Sequence, residues 1–274
     1  AGASNVKFYN INELHGISMR QASSVCKDSN GFVWAATKSG ILRLTDDDHR
    51  IYQLPFETTN VISVGLVFSQ EMLWAYANNG QLFKYEPIAD QFRLVVNLSE
   101  AIQNQHVSVN SILFDQSGVC WISTTYGLYR LVDGQLQLFE DRVEMITKIG
   151  WYDDHQFFAV GLNEILLIDT KNMTRKVLYN DLLSHYFDTS SILYDAQRDW
   201  LWLGSRSKGL FYYDLKKKDV KRIFENRFPL QPVLDLETVN DQTLLAGVDG
   251  QGVWEIDRKT LEIRNVYKED VDDP

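Results

Sequence analysis

Cysteine is almost missing from this chain: Cys26 and Cys120 are the only two in 274 residues. They fall in different repeats, two units apart and too distant to bond, so both read as buried thiols in a fold that stands without disulfide staples. So low a count suits the cytosol or an oxidising compartment equally. Proline is sparse as well, five residues scattered among loops, and no Pro- or Gly-rich linker divides the chain, so residues 1–274 read as a single domain. No apolar run approaches the roughly 18 residues of a membrane helix, and the N-terminus lacks a signal-peptide profile, which together argue against direct membrane insertion. Basic residues are outnumbered, 27 Lys and Arg against 37 Asp and Glu, for a formal net charge of −10. An acidic surface without basic runs argues against nucleic acid or an anionic membrane as a partner.

The usual signatures of catalysis and metal binding are also lacking. His15, His49, His106, His155 and His185 are isolated, with no His-x-x-x-His or His-Glu-x-x-His spacing to build a zinc site. The run Asp46-Asp47-Asp48 lacks the glycine and downstream glutamate of a calcium loop and reads as a hairpin turn. There is no Gly-x-Ser-x-Gly, phosphate-cradling loop or dinucleotide fingerprint. The sequence predicts no catalytic residue, no cofactor and no metal; the expectation is a protein that is not an enzyme, although catalytic groups scattered over many loops would leave no such motif.

What the chain has is repetition. Trp34, Trp74, Trp121, Phe158, Trp202 and Leu245 recur at spacings of 40, 47, 37, 44 and 43 residues, a period that suggests a solenoid, a propeller or a string of small domains. The clearest units read Asp28-x-x-Gly31-x-x-Trp34 with Gly40 six residues on, and Asp115-x-x-Gly118-x-x-Trp121 with Gly127. This spacing predicts two tight hairpins joining three short strands, with Asp capping the first turn and Gly supplying positive φ. A fourth strand follows in each unit, at 51–54, 92–96, 136–139, 175–179, 220–224 and 263–267. One such meander cannot bury both of its faces, so the prediction is an all-β propeller of four-stranded antiparallel blades, with the tryptophan on strand two filling the gap between neighbours. The six blades span about 21–55, 61–97, 109–140, 144–180, 190–225 and 233–268. A further strand at Val6–Ile11 resembles a fourth strand without its first three. That predicts a fragment of a seven-bladed ring, the alternative being a six-bladed ring with an extra edge strand.

The unit Asp-x-x-Gly-x-x-Trp-x-x-Thr-x-x-Gly-Leu/Ile-x-Arg-Leu resembles the two-component-regulator propeller repeat, and the stretch 15–24 resembles the entry segment of the same sensors. The likeness covers essentially the whole chain. Repeats two, four and six depart from it, carrying Ser69-Gln-Glu, Asp153-Asp-His and Asn240-Asp-Gln at the first turn, and repeats four and six replace Trp by Phe158 and Leu245. The resemblance implies the periplasmic sensor region of a Bacteroides-type hybrid two-component receptor anchored in the inner membrane. It also implies an oligosaccharide ligand from glycans and signal transfer to a histidine kinase outside this chain. Further propeller and immunoglobulin-like domains of the same receptor would be partners, in a homodimer. A non-catalytic interaction scaffold is the alternative, and a propeller-fold polysaccharide lyase or hydrolase a more distant one.

In a propeller, the loops joining strands two and three and those joining successive blades emerge on one face, where function concentrates. Flat aromatic faces and planar hydrogen-bonding groups suit sugars. The candidates of that kind are Tyr126, Arg142, His185, Tyr186, Arg206 and Arg227. The long connections at 97–109 and 180–190 are candidate binding loops or an interface.

Overall fold

The computed structural model describes residues 22–37, 40–44, 48–57, 63–104, 106–139, 144–225, 227–238 and 240–267. The expected closing strand 6–11, and with it the choice between six and seven blades, lies outside the described residues, as does Arg142. The fold is all-β, with strands grouped into six four-stranded antiparallel blades. Two compact units, 1–138 and 139–274, hold three blades each.

In the first unit, blade 1 is β1 (Ala22–Lys27), β2 (Val33–Thr37), β3 (Gly40–Leu44) and β4 (His49–Tyr52). Blade 2 is β5 (Val64–Ser69), β6 (Met72–Ala77), β7 (Gln81–Glu86) and β8 (Gln91–Asn97), followed by a single helical turn α1 (Leu98–Ala101). Blade 3 is β9 (Val109–Phe114), β10 (Cys120–Thr124), β11 (Gly127–Val132) and β12 (Gln135–Leu138). In the second unit, blade 4 is β13 (Lys148–Trp151), β14 (Gln156–Val160), β15 (Ile165–Asp169) and β16 (Thr174–Tyr179). Blade 5 is β17 (Thr189–Asp195), β18 (Trp200–Ser205), β19 (Leu210–Asp214) and β20 (Asp219–Ile223). Blade 6 is β21 (Val233–Thr238), β22 (Thr243–Val248), β23 (Gly252–Asp257) and β24 (Ile263–Tyr267). Every blade is a consecutive meander, as the turn spacing predicts. Several fourth strands begin a residue or two earlier than expected, at His49 instead of Ile51 for example.

The Asp-x-x-Gly turn works as its chemistry requires, and does more. Asp28 Oδ1 accepts from the backbone N–H of Asn30 at 2.9 Å and of Phe32 at 3.0 Å. Gly31 takes φ +86°, which a β-carbon resists. The other carboxylate oxygen accepts from the Trp34 indole N–H at 2.8 Å, so Asp and Trp six residues apart close one hydrogen-bonded unit. Blade 3 repeats it at Asp115, with Ser117, Val119 and the Trp121 indole. The Thr of the repeat closes the second hairpin: Thr124 Oγ1 donates to Gly127 O at 2.8 Å, and Ser205 Oγ donates to Gly209 O at 2.8 Å. Blade 2 lacks the motif and turns through Gln70 and Glu71, both at positive φ, in a two-residue hairpin.

The large second-strand side chains fill the seams. Trp34 lies 4.9 Å from the Tyr85 ring of blade 2, Trp74 lies 5.1 Å from Phe114 of blade 3, and Phe158 lies 5.4 Å from Tyr194 of blade 5. Trp202 shares one buried cluster with Leu236, Leu244 and Trp254 of blade 6. Polar stitching adds to this: Ser190 and Ser191 hydroxyls both donate to Val233 O, at 2.6 and 2.7 Å. Neither cysteine is in a disulfide; Cys120 is buried, whereas Cys26, on β1, is only half-buried.

Asp90 ties blade 1 to blade 2. Its Oδ1 accepts from the Tyr85 hydroxyl at 2.5 Å and from the Tyr52 hydroxyl at 2.7 Å, and Arg50 and Arg43 approach the same carboxylate. These two tyrosine bonds foremost, with the arginines, hold the Asp90 carboxyl below its ordinary 3.8 despite some burial. A depressed folded-state value means the stabilisation is complete above 3.8 and is lost as pH falls below it. Asp90→Asn is expected to lower the stability of the first unit by about 1–2 kcal/mol at pH 7, and by less at pH 3, in urea unfolding. A deficit equal at both pH values would contradict the ionic role.

Candidate functional site

In the second unit the connections between blades and the β14–β15, β18–β19 and β22–β23 hairpins are laced together at one end of the strands. Asn163 of the β14–β15 hairpin holds the β16–β17 connection three times. Its O accepts from Leu182 N at 3.0 Å, its Oδ1 accepts from Leu183 N at 3.1 Å, and its Nδ2 donates to Asn180 O at 2.7 Å. The far end of that connection is clamped to the next hairpin: Arg206 N donates to Asp188 O, and Arg206 Nε pairs with Asp188 Oδ2 at 2.8 Å. Phe228, in the β20–β21 connection, lies over Gly209, where an added β-carbon would meet its ring at 3.3 Å. Asp249 N donates to Pro232 O at 2.9 Å, anchoring the β22–β23 hairpin.

This lacing positions the side chains. Arg206 is about half-exposed, with its guanidinium directed by Asp188. His185 is half-buried, its Nε2 2.8 Å from the Tyr179 hydroxyl and its ring 6.5 Å from Phe211. Burial pushes the Tyr179 hydroxyl above its ordinary value, aided by Asp181 and Asp219. Tyr186 is turned inward: its ring lies 4.8 Å from Phe211, its hydroxyl 2.8 Å from Thr189 Oγ1, and only 2% of it is exposed. Burial raises its hydroxyl pKa strongly. Its neighbour Phe187 is turned outward instead, 63% exposed beside Asp188 and Arg206. Arg227 is exposed, with its backbone N–H donated to Phe224 O at 2.9 Å.

The structure thus brings His185 and Arg206 onto one laced loop end with Phe187, Leu183 and Leu230, all three exposed apolar side chains that the sequence reading left out. Residues 186 and 187 are consecutive aromatics, and no local pattern says which one faces out. Tyr126 stands in the first unit, 44% exposed on the β10–β11 hairpin, where its N–H is held by Thr124 Oγ1 at 3.0 Å. A groove of about 790 Å³ lies elsewhere, along the outer strand of blade 2 between Pro55, Ile88 and Leu94. Its two ionisable side chains, Glu86 and Arg93, pair with each other at 2.9 Å, which leaves the groove apolar and without a reacting pair. Among the described residues no three His, Cys, Asp or Glu side chains converge as a metal site would require, and no helix is long and apolar enough to cross a membrane.

Six meanders with aromatic wedges in their seams make the chain a β-propeller protein. Among solved structures it is similar to the extracellular domain of the hybrid two component system BT3049 from B. thetaiotaomicron, with TM-score 0.69, 16% identity, and coverage of 96% of this chain and 36% of that one. It is similar to the extracellular domain of BT4673 from the same organism, with TM-score 0.69, 19% identity, and coverage of 98% and 39%. A chain of the mitotic checkpoint complex also matches, with TM-score 0.69, 11% identity, and coverage of 93% and 79%. The chain spans under two fifths of the length of the two bacterial neighbours. At such identities the fold is what is shared, and the checkpoint chain illustrates how many roles that fold serves. No protein-family model and no curated protein matches.

Proposed function

We propose that this chain is the extracytoplasmic sensor segment of a hybrid two-component receptor, periplasmic in location. It takes a glycan-derived oligosaccharide at its connection loops and passes the signal to a kinase outside the chain, without catalysis of its own. The observation that carries this is the fold shared with two extracellular domains of that receptor class over 96–98% of the chain. The loop end of the second unit supplies fitting chemistry: the Phe187 ring offers a flat face for sugar C–H groups, and the Arg206 guanidinium, steered by Asp188, offers paired donors for vicinal hydroxyls. Exposed Leu183 and Leu230, in the β16–β17 and β20–β21 connections of the same loop end, suit packing by a further domain of the same receptor, which would make part of this face an interface.

Thermal shift and titration calorimetry against a panel of glycan fragments test the proposal. A binding fragment at about 100 times its Kd stabilises the native state by about 2.7 kcal/mol. Phe187→Ala and Arg206→Ala are each expected to weaken that fragment about tenfold, roughly 1.4 kcal/mol, with the melting temperature of the free protein little changed. Binding indifferent to both substitutions, or release of reducing ends from the fragment, would overturn the proposal.

A further inference from the structure

The chain-wide balance of −10 hides one region of opposite sign. Between positions 206 and 227 stand eight Lys and Arg against three acids, Asp214, Asp219 and Glu225, which leaves the other 252 residues with 19 basic and 34 acidic side chains. Folding sharpens the contrast. Asp214 is buried, one carboxylate oxygen held by the N–H groups of Lys216 and Lys217 and the other by the Trp200 indole. Asp219 has one carboxylate oxygen sealed from solvent. Glu225 is the only exposed acid of the segment. Lys208, Lys216, Lys217, Lys218 and Lys221 are all exposed, and Arg222, half-buried, is fixed by its Nε–H donated to Lys208 O at 2.9 Å.

Topology turns these residues into a line. β20 is the outermost strand of blade 5, so its outer edge carries no neighbouring strand of the sheet. Lys216–Lys218 cap one end in the β19–β20 hairpin, Lys221 and Arg222 flank the edge from the two opposite faces of the strand, and Lys208 marks the other end. The five residues of β20 extend for about 17 Å. On three other blades an outer-strand arginine is neutralised: Arg50 by Asp90, Arg93 by Glu86 and Arg264 by Asp257. Among the described residues, none of the six cations along blade 5 has a carboxylate within 4 Å.

We infer that the outer edge of blade 5 binds an anionic oligosaccharide, one bearing sulfate or carboxylate groups at regular intervals. Charge complementarity selects an anion, and the surrounding acidity selects a short one. A bilayer or a nucleic acid would extend past the stripe onto the acidic remainder, whereas an oligosaccharide about 17 Å long stays within the roughly 8 Å over which the lysines dominate. The inference rests on the sensor proposal in taking the ligand to be a carbohydrate, and it names that carbohydrate's chemical class; the edge meets the connection loops at Lys208, which shares the β18–β19 hairpin with Arg206.

The test uses the full chain, a heparin-derived sulfated hexasaccharide, uncharged maltohexaose, and vesicles containing phosphatidylserine. The sulfated hexasaccharide is expected to bind at least tenfold more tightly than maltohexaose, with an affinity that falls as salt rises. Lys217→Glu/Lys218→Glu/Lys221→Glu should weaken it about 30-fold or more, while Lys→Arg at the same three positions should hold it within about threefold. All three residues are exposed, so an unchanged melting temperature confirms that the variants fold. Equal affinity for the two hexasaccharides, vesicle binding stronger than hexasaccharide binding, or indifference to the charge reversal would overturn the inference. Sulfated-sugar binding that survives the charge reversal but is lost in Phe187→Ala and Arg206→Ala would likewise overturn it, while leaving the sensor proposal standing.

Discussion

Arg258→Ala is expected to destabilise the second unit by about 3–5 kcal/mol at pH 7, a fall in melting temperature on the order of 10 °C. Arg258 leaves the turn after β23 of blade 6 and forks onto Asp195 of blade 5, with Nη2 2.5 Å from Oδ1 and Nε 3.1 Å from Oδ2, while Nη1 donates to Asn240 O at 2.6 Å. The Asp195 side chain is wholly buried, and Arg258 is nearly so. Burial would push the Asp195 carboxyl up, but the Arg258 fork, with the Trp202 N–H and other groups, outweighs it and holds the group below its ordinary 3.8. Truncation leaves the carboxylate buried, with Arg198 at 3.6 Å as its nearest cation. Its pKa then rises, and the sign of its pH dependence reverses. A raised folded-state value favours the native state below the unfolded value and works against it as pH climbs, so the deficit should be largest at pH 7 and shrink toward pH 4. Asp195→Asn placed in the Arg258→Ala background should recover part of the loss, because it removes the stranded charge. Urea unfolding at both pH values checks this; a deficit below about 1 kcal/mol, or one that does not change with pH, would mean the pair contributes little.

The second large effect is expected at Trp34. Trp34→Ala should cost about 3–5 kcal/mol, because the indole fills the seam between blades 1 and 2 with Tyr85, Tyr52 and Phe92 around it. Trp34→Phe keeps most of the volume but loses the N–H donated to Asp28, and should cost about 1–2 kcal/mol. Asp28→Ala should fall in the same range or somewhat higher, since it also frees the N–H groups of Asn30 and Phe32. In the double variant Trp34→Phe/Asp28→Ala the losses should be less than additive, because both changes break the same bond. Full additivity would show that the Asp–Trp bond does not couple the turn to the wedge.

The repeat and its meanders were legible because hairpin spacing is a local fact and the large side chain recurs every 37 to 47 residues. The Asp–Trp bond was half legible. The Asp-x-x-Gly spacing gives the turn, but the indole reaches back only because β2 leaves that turn with Trp34 on the same side as the second carboxylate oxygen. In blade 5 the spacing is one residue longer, and there Asp199 takes the positive φ, at 58°, that glycine supplies elsewhere. Asp195 still reaches Trp202, at 3.3 Å, and its stronger partner Arg258 lies 63 residues further on, which no local pattern signals.

The candidate loop end was legible as a region and less so as residues. Connectivity of a meander dictates which loops share an end, so His185 and Arg206 could be named. Which of Tyr186 and Phe187 faces solvent depends on how the connection packs on Phe211 and on its clamp at Asp188. The basic edge of blade 5 was lost by averaging charge over the whole chain: Lys208 and Lys221 are 13 residues apart in sequence, and the β19–β20 pairing sets Arg222 opposite Phe211, from where it reaches back to the Lys208 carbonyl.

By itself the sequence determined strand, turn and repeat, because a two-residue alternation, a glycine at positive φ and a wedge every 40-odd residues act over one hairpin. The tertiary structure alone decided which charges are neutralised, which aromatic rings face out and which cations form a line. Each of those outcomes depends on distances between residues far apart in the chain, fixed only when the blades pack.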